Sequence, residues 1–133
     1  MRTAQEQANL DIVMGLFEKV LRPLDSTYVD DYISPNYIQH SPLAEPGVQP
    51  LKDFLDFVHK RSPEATQTLY RTMAEGDYVM LHYHVVRHPG DNGLAVVDIF
   101  RCENGMVAEH WDVIQEVKVG GPNPNSMFEL GAR

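Results

Sequence analysis

Ala95-Val96-Val97-Asp98-Ile99-Phe100-Arg101-Cys102-Glu103-Asn104-Gly105-Met106-Val107-Ala108-Glu109-His110-Trp111-Asp112-Val113 reads as two β-strands joined at Asn104-Gly105. Asn-Gly is the strongest short-range hairpin signal, because both residues tolerate the positive φ of a two-residue turn. The strands carry Asp98, Glu109 and Asp112 among residues that a sheet should bury. Carboxylates are seldom buried without a partner or a task, so this hairpin is where a functional site is expected.

The register of the hairpin decides which acids meet. A two-residue turn pairs Glu103 with Met106, sets Asp98 opposite Trp111 and Phe100 opposite Glu109, and gathers Val96, Asp98, Phe100, Val107, Glu109, Trp111 and Val113 on one face. A three-residue turn with a bulge at Gly105 shifts the pairing by one, so that Asp98 faces His110 with Asp112 on the same side. A slip of one residue sends a strand's side chains to the opposite face. The two-residue reading is favoured, because it makes the inner face the more apolar one and leaves Ala108, His110 and Asp112 on the other.

Outward from the hairpin, Tyr78 to Val86 reads as a strand and Thr66 to Met73 as another, with Glu75-Gly76-Asp77 as their turn. Pro89-Gly90-Asp91-Asn92-Gly93 is a wider loop. The first half has a helical period. Thr3 and Glu6 have capping-box spacing ahead of Ala8, Ile12, Val13, Leu16, Phe17 and Val20, and Pro23 ends that helix. A short second helix through Tyr28, Val29 and Tyr32 stops at Ser34-Pro35-Asn36. A third begins near Pro50, with Leu51, Phe54, Leu55 and Val58 on one face, and ends at Arg61-Ser62-Pro63. In the tail, Met127, Phe128 and Leu130 are candidate anchors. Helices followed by a run of antiparallel strands indicate an α+β fold, expected as a single domain over residues 1–133. The strands are apolar on both faces. Helices cover one, and a homodimer through the outer sheet face is expected to cover the other.

Composition narrows the functional classes. A hydrophobic fraction of 43% in 133 residues supports one sizeable core. A formal net charge of -8 argues against nucleic acid or an anionic membrane as partner. Cys102 is the single cysteine, so no internal disulfide forms and the cytoplasm is the expected compartment. Met1 to Glu6 is too polar for a signal peptide, and no apolar run is long enough to span a bilayer.

Within this frame Asp98 is the first candidate for acid/base work, since burial in an apolar pocket disfavours the charged form of a carboxylate. Glu109 is the second, and Asp112 is expected to face away. His82 and His84 share a strand face at a spacing of two, and His40 enters from the helical half. With Asp98 they could be read as a metal site, although the remaining ligands are unspecified. The reading adopted is no metal, with histidine beside carboxylate as an acid–base pair. Tyr37, Phe54, Met80, Phe100 and Trp111 are candidate walls of a pocket for a flat, largely apolar small molecule.

Tyr37-Ile38-Gln39-His40, Ala74-Glu75-Gly76-Asp77, the His82/His84 strand, Val97-Asp98-Ile99-Phe100-Arg101, and Asn104-Gly105 followed by Glu109-His110-Trp111-Asp112 resemble the SnoaL-like polyketide cyclase family of the nuclear transport factor 2-like superfamily. The resemblance implies a cone-shaped α+β barrel, a strongly bent antiparallel sheet wrapped on the N-terminal helices, with a pocket at its open end and frequent dimers through the outer sheet face. It also implies cofactor-free chemistry next to a carbonyl, either aldol cyclisation or isomerisation. In that reading Asp98 is the base, and His84 or His40 polarises or protonates the carbonyl oxygen. His82, Glu109 and Trp111 orient groups or wall the site. Many members carry an acid a few residues past the tryptophan. Here Asp112 follows Trp111 directly and Gln115 is neutral, which favours the alternative of a non-catalytic small-molecule binding protein.

Overall fold

The computed structural model describes Met1–Arg133. Helix α1 spans Ala4–Leu16 and opens on the expected capping box: the Glu6 N–H donates to Thr3 Oγ1 and the Thr3 N–H to Glu6 Oε1. The other Glu6 oxygen accepts the Gly76 N–H at 2.7 Å, which ties the start of the helix to the Glu75-Gly76-Asp77 turn. The helix continues as a π turn over Phe17–Leu21, with the Arg22 N–H donating to the Phe17 carbonyl five residues back. Val13, Leu16, Phe17 and Val20 are thereby all directed into the core. Helix α2 covers Val29–Tyr32 and α3 covers Val48–Arg61.

Five strands follow the expected pattern, with one addition: β1 Ile33–Gln39, β2 Thr66–Glu75, β3 Tyr78–Val86, β4 Leu94–Glu103 and β5 Met106–Glu116. They form one curved, open sheet in the order β1-β5-β4-β3-β2. Sequence reading leaves Ile33–Gln39 unassigned, yet it pairs parallel to β5, so the sheet is mixed rather than wholly antiparallel. The Pro35 ring cannot donate to a ladder, and the strand accordingly sits at the sheet edge with irregular pairing between Ile33 and Ile38.

The α+β architecture is that of a nuclear transport factor 2-like fold. Val79, Leu81 and Tyr83 of β3 and Val96 and Phe100 of β4 pack on the α1 side, with the Phe17 and Tyr83 rings edge to face at 5.4 Å. The outer face carries Met80, His82 and His84. Phe128 from the tail lies on it, 5% exposed, with ring centroids 4.4 Å from His84 and 5.0 Å from Tyr70. Leu130 is not an anchor and stands in solvent.

Candidate active site

The Asn104-Gly105 turn has φ of 52° and 76°, and Glu103 pairs with Met106, as the two-residue turn requires. The faces beyond it are reversed. Cys102 pairs with Val107, but Arg101 pairs with Glu109, which leaves Ala108 unpaired as a β-bulge. Past the bulge Asp98 opposes Asp112 instead of Trp111, and Phe100 opposes His110 instead of Glu109. The inner face therefore holds Asp98, Phe100, His110, Asp112 and Ile114, all lining one cavity, while Glu109 and Trp111 turn outward. The alternative grouping of Asp98 with His110 and Asp112 is realised, through a bulge within the strand rather than a longer turn. The available signal was Val107-Ala108, two adjacent apolar residues that are both buried and break the alternation.

The cavity has a volume of about 380 Å³ and is mostly apolar. Leu51, Phe54, Leu55 and Val58 of α3 form one wall because they recur at helical spacing. Tyr37, Tyr83, Val96 and Phe100 form the sheet side. Of the expected walls, Tyr37, Phe54 and Phe100 line it; Met80, His82 and Trp111 do not. Gln115 is exposed and outside it.

Asp98 is 3% exposed and both its oxygens are engaged. The Tyr83 hydroxyl donates to Oδ2 at 2.6 Å, and His110 Nε2 lies 2.8 Å from Oδ1. Burial, reinforced by the negative charges of Asp98 and Asp112, holds the Tyr83 phenol well above its usual range, so it stays a donor. The proton on His110 follows from its other partner. Gln39 Oε1 accepts the Ser41 N–H at 3.0 Å and lies 2.7 Å from His110 Nδ1. A backbone N–H can only donate, so this Gln39 atom is the acceptor and Nδ1 carries hydrogen. One proton is then shared between His110 Nε2 and Asp98, as imidazolium with carboxylate or as imidazole with carboxylic acid. Asp112 lies beside this pair, with donor atoms of the three residues all within 4.8 Å of one another, and it lines the cavity.

The same three residues offer one nitrogen and two oxygens, the donor types of a divalent-cation site. Between Asp98 and His110 that contact is a hydrogen bond at 2.8 Å, an arrangement that can also share a proton.

The histidines expected in the pocket are elsewhere. His40 Nε2 pairs with Glu109 Oε2 at 2.6 Å, and its ring stacks on Trp111 at 4.8 Å. Glu109 also accepts Arg101 Nε at 3.0 Å; His40 and Arg101 hold its carboxyl below the usual range, as a fixed anion on the outer face. His84 Nε2 meets the Asn92 carbonyl at 2.8 Å, and His82 Nδ1 meets Arg71 Nη1 at 2.6 Å. No metal site formed by His40, His82 and His84 is assembled. Conversely, Tyr83 and Gln39 join the site without having been singled out by the sequence, and His110, part of the family-like Glu109-His110-Trp111-Asp112 stretch, faces Asp98 only in the register set aside.

The sequence model of a family described as "SnoaL-like domain" matches residues 15–110. Among curated proteins none matches the chain. Solved structures do. IdmH of Streptomyces antibioticus, named as a polyketide cyclase, is 18% identical with a TM-score of 0.68, over 80% of this chain and 91% of its own. A protein of Jannaschia sp. CCS1, named as a SnoaL-like polyketide cyclase, is 17% identical with a TM-score of 0.71, over 86% and 90%. AclR of Streptomyces galilaeus, named as a hydroxylase, is 21% identical with a TM-score of 0.69, over 84% and 81%. At such identities these likenesses speak for the fold alone, and a fold does not fix a chemistry.

Proposed function

The chain belongs to the SnoaL-like domain family, and from that premise we propose that it is an acid/base enzyme acting next to a carbonyl group of a small, largely apolar substrate, by aldol cyclisation or isomerisation. One observation carries the reading: a buried carboxylate, Asp98, is hydrogen-bonded to His110 at 2.8 Å on a cavity wall, with a second carboxylate, Asp112, beside them.

The two acids divide the work. Both Asp98 oxygens are already hydrogen-bonded, whereas Asp112 has no protein donor, so the base assigned to Asp98 from sequence moves to Asp112. Asp112 takes a proton from the carbon beside the carbonyl. The Asp98–His110 pair gives its shared proton to the carbonyl oxygen, which yields an enol. The enol then attacks a second carbonyl or is reprotonated elsewhere, and the protons return. The apolar lining excludes water from the enol. Each role needs only groups that sit within reach of one substrate carbonyl.

The test is deuterium uptake beside the carbonyl of aryl methyl ketones in D2O, followed by NMR across a pH series. A protein-dependent rate with a pH profile supports the reading. Binding without exchange at any pH supports the second reading, a non-catalytic binding protein, which the neutral, outward Gln115 favours.

We further propose a homodimer through the outer sheet face, supported by the exposed Met73, Tyr78 and Val113 there and testable by sedimentation equilibrium. The cytoplasm is the proposed compartment, on the strength of the unpaired Cys102. No helix is long and apolar enough to cross a membrane.

A further inference from the structure

The cavity extends from the Asp98–His110–Asp112 cluster toward the end of the sheet where Leu94 pairs with Val85 and Thr66 pairs with Val86. Leu94 precedes Asp98 by four residues on β4, about 13 Å along an extended strand. Two arginines line the cavity at this far end. The Arg87 guanidinium is occupied by Asp91, through Nε to Oδ2 at 2.8 Å and Nη2 to Oδ1 at 3.0 Å. Arg61 is the last residue of α3 and stands five residues before Thr66, which brings it to the same end. It is exposed and takes part in none of the protein's ion pairs or side-chain hydrogen bonds; Glu64, three residues on, does not pair with it either.

The cavity thus has two carboxylates at its inner end, an apolar middle, and one unpaired cation at its mouth. We propose, resting on the carbonyl-chemistry reading of the inner end, that Arg61 anchors an anionic group. The substrate is then an apolar keto acid, with its ketone beside Asp112 and its carboxylate about 13 Å away at the mouth. The arrangement fixes one orientation, because the inner carboxylates repel the anionic end and the guanidinium fork receives it. Arg87 is the weaker anchor, because Asp91 already neutralises its charge.

The test is calorimetric binding of an acetyl-biphenyl carboxylate and of its methyl ester to the wild-type chain and to Arg61→Gln. The wild type should bind the carboxylate about two- to fivefold more tightly than the ester, the range of an exposed ion pair, and the preference should fade at high salt. Arg61→Gln should bind both ligands alike, with ester affinity unchanged. Equal binding of both ligands by the wild type, or a carboxylate preference that survives Arg61→Gln, overturns the anchor and leaves the cavity reading standing. Failure of the wild type to bind either ligand overturns both. If Arg61 serves only the end of α3, the variant loses thermal stability and keeps the preference, which also overturns the anchor.

Discussion

Asp98 and His110 are not opposite each other in the sheet, yet they are joined at 2.8 Å, because the unpaired Ala108 turns His110 to the face that Asp98 occupies. Deleting Ala108 should restore simple alternation beyond the turn. Glu109 and Trp111 would then face the core, and His110 and Asp112 would face out. Burying Glu109 without His40 and Arg101 costs several kcal/mol, so the deletion variant should be strongly destabilised in urea titrations. Wild-type stability in that variant would mean that the bulge does not set the faces.

Gln39 fixes which His110 nitrogen holds hydrogen. In Gln39→Leu, Nδ1 loses its acceptor and the Ser41 N–H loses its partner, at a cost of about 1–3 kcal/mol. Imidazole nitrogen NMR of the wild type should show protonated Nδ1 at neutral pH, and in Gln39→Leu hydrogen should shift toward Nε2. An identical pattern in both proteins would remove Gln39 from the site.

How far the sequence spoke differs from element to element. The capping box of α1, the apolar stripe of α3, the β3 strand and the Asn104-Gly105 turn are each local, and periodicity or turn chemistry was enough for them. Ile33–Gln39 was illegible because it contains Pro35 and owes its extension to a parallel partner more than sixty residues on. The bulge was nearly illegible because one residue among nineteen reverses every face beyond it. The outward side of His84 is legible in β3 itself: Val79, Leu81, Tyr83 and Val85 are its more apolar parity and take the core side, which leaves the histidines facing out.

On that outer face His82 is held neutral, first by burial and then by the Arg71 guanidinium donating to its Nδ1. Its protonation in the fold therefore needs a lower pH than the unfolded value of about 6.5. As pH falls below that value the unfolded chain takes the proton first, so the stability His82 contributes is complete above it and is lost as pH drops toward the folded value. The stability advantage of wild type over His82→Gln should shrink between pH 7.5 and pH 5.5, the window about that value. An advantage that is constant or grows would contradict this.

Cys102 sits in the core of β4, and its thiol is pushed up to about 11, mainly by burial and further by Asp77. It should react slowly with an aromatic disulfide reagent at pH 8, close to the ordinary thiol value of about 8.5, and quickly once urea unfolds the chain. Rapid stoichiometric reaction in the native state would place the thiol outside the core.

The central claim is that proton transfer takes place at the inner cluster and not among the charged groups of the outer face. Its most direct measurement is the rate of deuterium exchange beside a ketone carbonyl, compared across Asp98→Asn, Asp112→Asn and the outer-face Glu109→Gln. The two cavity variants should lose about a hundredfold or more, while Glu109→Gln keeps the wild-type rate. Exchange that survives both cavity substitutions but disappears in Glu109→Gln would contradict the account.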